Sequence, residues 1–145
     1  MTIAECNRRV RQAVSEKDDA IDTLLSEGQY RKSLLDMERS RIFSGIRADG
    51  TEIEPEYALF TIRVKTRKGQ PTDRVTLFDT GAFYGAFTVE RKGDMVIFTS
   101  TDDKTQRLVD KYGEGIFGLT DDDKAEARDM SIEYIIRWFK EKTNL

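Results

Sequence analysis

The sequence has no histidine, and it has one cysteine and two prolines among its 145 residues. Without histidine, a Ser-His-Asp triad, a Cys-His dyad and a histidine-ligated metal site are excluded. Because Cys6 is alone, an internal disulfide and a multi-cysteine zinc site are excluded as well. A single cysteine is typical of a chain made in a reducing cytoplasm.

Long hydrophobic runs and an excess of one charge are also lacking. No apolar stretch approaches the ~20 residues that cross a bilayer, and Met1–Glu5 does not begin a signal peptide. We therefore expect no membrane segment. The 24 basic and 27 acidic residues leave a net charge of -3, and an acidic chain is not typical of nucleic-acid binders. We expect no direct contact with nucleic acid.

What the sequence does have is many charges of both signs, which make up 35% of its residues. The 8 Phe, 5 Tyr and 1 Trp are enough to build a core. A chain of this length is typical of one domain. We expect a single domain over residues 1–145, with a helical N-terminal segment over 1–44 and an α+β region over 45–145.

Apolar periodicity predicts helices at both ends of the chain. One helix is expected over residues 4–26, ended by Gly28, and a second over Tyr30–Phe43. Thr120 is expected to cap the last helix, whose first turn holds three aspartates that suit the helix dipole. The predicted buried stripe of this helix consists of Ile132, Ile135, Ile136 and Phe139.

The middle of the chain predicts a small antiparallel sheet. Phe87–Glu90 and Met95–Phe98 are apolar or alternating runs joined by a polar, glycine-containing connection that is typical of a hairpin. Val75–Phe78 is a further β-like run. A short helix over Lys104–Lys111 and a glycine-rich turn region over 112–119 follow. The predicted fold class is α+β, with N-terminal helices and a C-terminal helix packed on this sheet.

The stretch Tyr57–Lys65 fits a strand by its alternation, and it also fits a helix with Pro55 and Glu56 near its start. It leads into a basic cluster that Gly69 and Pro71 interrupt. We expect this cluster to be a mobile loop, either solvated or in contact with an acidic partner surface or a nucleic-acid backbone. Its members are Arg63, Lys65, Arg67, Lys68 and Arg74.

Asp79-Thr80-Gly81 is the tripeptide found around the catalytic carboxylate of aspartic proteases. That chemistry needs two carboxylates sharing one proton, so this chain would have to act as a homodimer. The simpler interpretation is a turn that Asp79 caps and Gly81 permits. We favour the turn and keep a homodimeric aspartic protease as the alternative.

No other pattern indicates catalysis or a cofactor. Asp121, Asp122 and Asp123 lack the alternating spacing of a calcium loop. The glycines around Glu114 lack the lysine and hydroxyl residue of a phosphate-binding loop. We therefore expect no metal, no cofactor, no small-molecule substrate and no catalytic residue, and we interpret the chain as a non-enzyme.

The order of motifs over residues 49–142 resembles the tail-completion, or virion-morphogenesis, proteins of tailed bacteriophages. A glycine-containing loop precedes an aromatic residue, a Thr and a Lys. An apolar run then leads into a Thr-Gly turn, a hairpin, a Tyr-Gly pair and a Phe-Gly-Leu-Thr segment that opens an acidic-capped helix. The residues that carry this resemblance are Asp49-Gly50, Tyr57, Thr61, Lys65, Leu77–Tyr84 with Asp79, Thr80 and Gly81, Tyr112-Gly113, and Phe117-Gly118-Leu119-Thr120.

The resemblance favours the helical interpretation of Thr61–Lys68. It also implies a structural role without covalent chemistry. Such proteins lie at the neck of the virion, between the head connector and the tail, and assemble as rings. The implied partners are copies of this chain and the neighbouring connector and tail proteins, and the implied place of synthesis is the cytoplasm of a bacterial host. An adaptor module without a virion role is a further alternative. We also predict that the basic cluster meets Asp121–Asp123 of a neighbouring subunit, because the two are opposite in charge.

Overall fold

Helices form both ends of the chain and flank a two-stranded sheet. The computed structural model describes residues 1–26 and 28–145. The helices are α1 (Ile3–Ser15), α2 (Lys17–Ser26), α3 (Gly28–Phe43), α4 (Leu59–Arg67), α5 (Ala82–Gly85), α6 (Thr105–Tyr112) and α7 (Asp121–Thr143). The strands are β1 (Phe87–Lys92) and β2 (Met95–Ser100), and a 3-10 turn covers Glu114–Ile116. The predicted α+β class is confirmed, with helices from both ends of the chain around an antiparallel sheet.

The first predicted helix is broken at Glu16, so its extension over residues 4–26 is wrong. The Glu16 backbone leaves the helical region, with φ -98° and ψ 2°. The Ser15 hydroxyl donates to the Gln12 carbonyl at 2.7 Å, which competes with backbone hydrogen bonding. Asp18 and Asp19 in the first turn of α2 favour a new helix start at this point.

The predicted hairpin is confirmed, and it carries the core on one face. Strands β1 and β2 are antiparallel, with Phe87 opposite Ser100 and Lys92 opposite Met95. Phe87 and Val89 point into the core, where Phe83 packs edge-on against Phe87 at 5.0 Å between ring centroids. This aromatic contact fixes α5 against the sheet.

Val75–Phe78 is not a strand, which corrects the prediction for that run. Its backbone groups are satisfied by two tyrosine hydroxyls instead of by a neighbouring strand. The Tyr57 hydroxyl accepts from the Thr76 and Leu77 amides at 2.9 and 3.2 Å, and the Tyr84 hydroxyl donates to the Thr76 carbonyl. Leu77 also adopts φ +55°, a left-handed conformation that a strand cannot contain.

The C-terminal helix begins as predicted, but its apolar stripe is not buried as predicted. The Thr120 hydroxyl caps α7 by accepting from the Asp123 amide at 3.2 Å. Ala127 packs in the core, while Ile132 and Ile136 are 47% and 50% exposed. The reason is that α7 extends beyond the core, where α1 crosses its end: Arg9 donates to the Thr143 carbonyl at 3.3 Å.

Candidate interaction surface

Asp79-Thr80-Gly81 forms an exposed turn before α5. Asp79 Oδ1 lies 2.5 Å from Lys68 Nζ, and both side chains are about half exposed. Gly81 adopts φ +90°, and the Thr80 hydroxyl accepts from the Ala82 amide at 3.3 Å. The hydrogen bond from Lys68 holds the pKa of Asp79 below its usual value. An ionised carboxylate paired to a lysine is suited to holding the turn and is not poised to share a proton with a second aspartate.

Lys65 does not belong to a mobile loop, because it lies on α4 and its side chain is only 8% exposed. Its ammonium donates to the Phe78 carbonyl at 2.6 Å and to Gln70 Oε1 at 3.3 Å. It also lies 4.9 Å from the centre of the Tyr57 ring. Lys65 therefore supports the segment before the Asp79 turn and cannot offer its charge to a neighbouring subunit.

The remaining basic residues divide into engaged and available side chains. Lys68 holds Asp79, and Arg74 donates to the Phe43 carbonyl at 2.7 Å while pairing with Asp73 at 2.7 Å. Arg63 and Arg67 are exposed on α4 and have no hydrogen-bond or ion-pair partner among the residues that the structure describes. The predicted mobile basic loop is thus wrong: the helix favoured for this region is present over Leu59–Arg67.

Residues 112–119 are held against α3 by two charged side chains that the sequence patterns did not single out. Glu38 Oε2 accepts from the Gly118 amide at 2.9 Å. Arg41 donates to the Ile116 carbonyl at 2.7 Å and to the Ile46 carbonyl at 2.6 Å. The signal that could have found them is their helical spacing from Leu34 and Ile42, which places two charges on the buried side of α3.

This anchor explains the Tyr-Gly and Phe-Gly-Leu motifs structurally. Tyr112 and Leu119 are buried and Phe117 is half buried against the core. Gly113 and Gly118 adopt φ +89° and +110°, which lets the chain turn between α6 and α7. The motif residues therefore shape a fixed connection.

Glu38 is fully buried, and burial raises its pKa to about 7. The Gly118 amide and the charges of Arg41 and Arg39 act in the opposite direction. Burial in turn lowers the pKa of Arg41, which the charges of Glu38 and Asp123 partly offset. Glu38 Oε1 and Arg41 Nε are buried without a hydrogen-bond partner among the described residues. The anchor is consequently sensitive to the protonation state of Glu38.

Two of the three aspartates at the start of α7 are exposed. Asp121 and Asp122 are exposed, whereas Asp123 is half buried and its amide is used by the Thr120 cap. Asp121 shares one face of α7 with Lys124 and Arg128, which follow at helical spacings of three and four. This face therefore runs from acidic to basic along the helix.

The two edges of the sheet differ. At the outer edge of β1, Arg31 donates to the Val89 carbonyl at 2.8 Å. The Thr101 amide donates to the Ala86 carbonyl at 3.0 Å, and the alternation of an antiparallel ladder then turns the backbone groups of Val96 and Phe98 away from β1. These groups have no hydrogen-bond partner in the described part of the chain.

A groove lies along this open edge, and we call it the β2 groove. It consists of two adjoining cavities of about 460 Å³ each, which share Val96, Phe98, Phe117 and Gly118. Thr105, Gln106 and Val109 of α6 form one wall. Lys124, Ala127 and Arg128 of α7 lie at the other side, with Tyr30 and Leu34 of α3. The groove is largely apolar, and its charged lining residues are Lys124 and Arg128 at the α7 side and Glu114 at the α6 side.

A second apolar surface lies at the start of α4, and we call it the α4 face. It consists of Leu59, Phe60, Arg63 and Arg67, which share one side of the helix by their spacing. Leu59 and Phe60 are each 76% exposed, which is costly for side chains of this size in water. Glu54 and Glu56 precede this face and are exposed. Along the chain, the exposed residues over Glu54–Arg67 therefore run from acidic through apolar to basic.

No family model, curated protein or solved structure matches this chain. Over residues 1–26 and 28–145, no helix is both long and apolar enough to span a bilayer. Across these same residues, acidic and cysteine side chains do not gather into a group of three that could hold a metal ion.

Proposed function

We propose that this protein is a non-enzymatic structural component of a tailed-phage virion. In this proposal it acts at the neck or tail-completion junction and assembles with copies of itself into a ring. The connector and tail proteins on either side are its further partners. The proposal rests on the ordered motifs over residues 49–142 and on surfaces that suit protein contacts.

The observation that carries the proposal is the exposed apolar surface of the chain. Leu59 and Phe60 project from α4, and Val96 is exposed on β2 in the β2 groove. Exposed apolar patches on soluble proteins mark surfaces that other proteins cover. A ring needs two different patches on each subunit, because each copy must contact a neighbour on both sides. The α4 face and the β2 groove are two such patches.

The surroundings of Asp79 support a structural role as well. Its carboxylate is paired with Lys68 and sits in an exposed turn. The Tyr-Gly and Phe-Gly-Leu motifs make a fixed connection around the Glu38 and Arg41 anchor. These motif residues thus hold the surfaces in place, which is what assembly requires.

Deletion of the coding sequence from the phage that carries it tests this function. We expect filled heads and separate tails to accumulate, and expression of the chain from a plasmid should restore joined particles. Electron micrographs of the lysates distinguish these states. Joined, infectious particles formed without the chain would contradict the proposal and would favour an adaptor outside the virion.

A further inference from the structure

We infer that the α4 face of one copy docks into the β2 groove of the next copy, so that the chain associates head to tail. The occupant of the groove is therefore a second copy of this chain. The inference rests on the proposed function, because a ring of copies needs two unlike patches on each subunit. The α4 face and the β2 groove are these two patches. The inference names residues on both sides of the contact.

The apolar parts of the two surfaces match in character. Leu59 and Phe60 are each about three-quarters exposed. The β2 groove offers Val96, Phe98 and Phe117 along its floor and edge. Placing two large side chains in this groove removes apolar surface on both partners from water, which stabilises the contact.

The charges match only in one orientation. The α4 surface runs from Glu54 and Glu56, through its apolar residues, to Arg63 and Arg67. The first turns of α7 run in the same order along the chain, from Asp121 to Lys124 and Arg128. With the two helices antiparallel, the glutamates meet Lys124 and Arg128, and the arginines meet Asp121. This places unlike charges together at both ends of the contact.

Apolar side chains at the centre and charges at both ends give the arrangement of a protein interface, with a water-excluding middle and a polar rim. The rim charges set the orientation, and the apolar residues supply most of the affinity.

The charge reversal Lys124→Glu with Arg128→Glu tests the groove side, and Glu54→Lys with Glu56→Lys tests the α4 side. Sedimentation velocity on the purified full chain measures self-association up to about 1 mM, where weak contacts are still populated. We expect each double variant to associate at least roughly tenfold more weakly than the unaltered chain, with the difference shrinking at high salt.

Two control variants change the net charge of the chain by the same amount as the two test variants. Arg137→Glu with Lys140→Glu changes the charge of α7 as the groove variant does, but beyond the groove. Glu133→Lys with Glu141→Lys matches the α4 variant. All four control residues are exposed on α7. We expect both controls to associate as the unaltered chain does, which separates the specific contact from a general effect of charge.

Recombining the reversed patches gives the decisive result. A chain with all four reversals restores the charge match, and so does an equimolar mixture of the two double variants. We expect both to associate as strongly as the unaltered chain. Phe60→Ser should weaken association in either background because it removes the apolar centre.

Several outcomes would overturn the inference. An unaltered chain that stays monomeric at about 1 mM would contradict it, as would association that all of these substitutions leave unchanged. The failure of four reversals to restore what two remove would do the same. None of these results decides the virion role, which the deletion experiment tests independently.

Discussion

At the scale of single residues, three charged side chains are each held by a contact within the protein, two of them buried and one exposed. Glu38 is fully buried and holds the Gly118 amide. Lys65 is buried beneath the Asp79 turn and holds the Phe78 carbonyl. Asp79 is exposed but paired with Lys68. Because their surroundings differ, the three residues respond differently to pH and to substitution.

Glu38 makes the stability of the fold depend on pH. Folding raises its pKa from 4.5 to about 7, so the folded state binds the proton more tightly than the unfolded state. Its stabilising contribution is therefore complete below the unfolded pKa and is lost as the pH rises through the folded pKa. A shift of this size corresponds to about 3 kcal/mol.

The substitution Glu38→Gln removes this pH dependence while keeping an oxygen that can accept from Gly118. We expect the variant and the unaltered chain to have similar free energies of unfolding near the unfolded pKa. Above the folded pKa the variant should be more stable, by up to about 3 kcal/mol. Urea unfolding followed by circular dichroism across this range measures both. Curves that stay parallel at every pH would contradict the assigned role.

Lys65 and Arg63 provide a matched pair on α4. Lys65→Met removes the hydrogen bonds to the Phe78 carbonyl and Gln70 and leaves a carbonyl without its partner. We expect a loss of about 2 kcal/mol in the free energy of unfolding. Arg63→Met on the exposed side should change it by less than about 0.5 kcal/mol. Equal effects of the two substitutions in urea titrations would show that Lys65 has no special role.

Asp79 is predicted to hold a turn and to catalyse nothing. The exposed ion pair with Lys68 contributes less than about 1 kcal/mol, so Asp79→Asn should leave stability nearly unchanged. Neither the unaltered chain nor the variant should cleave casein at mildly acid pH. Cleavage that disappears in the variant would establish the aspartic protease instead.

At the scale of elements, the connection from α6 to α7 determines how the β2 groove is formed. Phe117 and Gly118 lie in the floor of the groove. Glu38 and Arg41 of α3 hold the same connection from the other side. A change in the backbone of this connection should therefore alter both the stability of the fold and the shape of the groove.

Gly118 and Gly85 distinguish a required glycine from a dispensable one. Gly118 adopts φ +110°, and a Cβ there would lie 3.4 Å from the Ala48 Cβ. We expect Gly118→Ala to lower the free energy of unfolding by about 1–2 kcal/mol. A Cβ on Gly85 meets nothing within 4 Å, so Gly85→Ala should be neutral or stabilise the fold by up to about 1 kcal/mol. Thermal and urea unfolding measure both, and the reverse order would contradict the assigned backbone role.

The sequence patterns predicted most helices and the hairpin because these depend on local spacing. They did not predict the break at Glu16, where a serine hydroxyl and two aspartates compete with helix continuation. Val75–Phe78 was misinterpreted because its partners are the hydroxyls of Tyr57 and Tyr84. Side chains distant in sequence leave no periodic signal, so such contacts are visible only in the folded chain.

The candidate surface was predicted in part for the same reason. Arg63, Arg67, Asp121 and Asp122 are exposed charges, as expected of interface candidates. Lys65 is buried, and Lys68 and Arg74 are already engaged within the subunit. The β2 groove combines residues from α3, β2, α6 and α7, and no single stretch of sequence contains enough of it to reveal a groove.

At the scale of the whole molecule, the near balance of 24 basic and 27 acidic residues acquires a spatial meaning. Charges run from acidic to basic over Glu54–Arg67 and again from Asp121 to Arg128 at the start of α7, so unlike charges meet when the two segments lie antiparallel. Such ordering gives a subunit two unlike patches without a large net charge. A ring or a closed collar of copies is the natural product of two such patches, provided that the rotation between neighbours closes.

Cryo-electron microscopy of the virions shows both where this chain lies and what its α4 face contacts. We expect density for this chain at the junction of head and tail, as a closed ring of copies in which α4 of each subunit lies against the β2 groove of its neighbour. Complete virions that lack this chain, or virions that carry it away from the junction, would contradict the proposed function. A ring at the junction with α4 facing solvent would retain the function and reject the proposed contact.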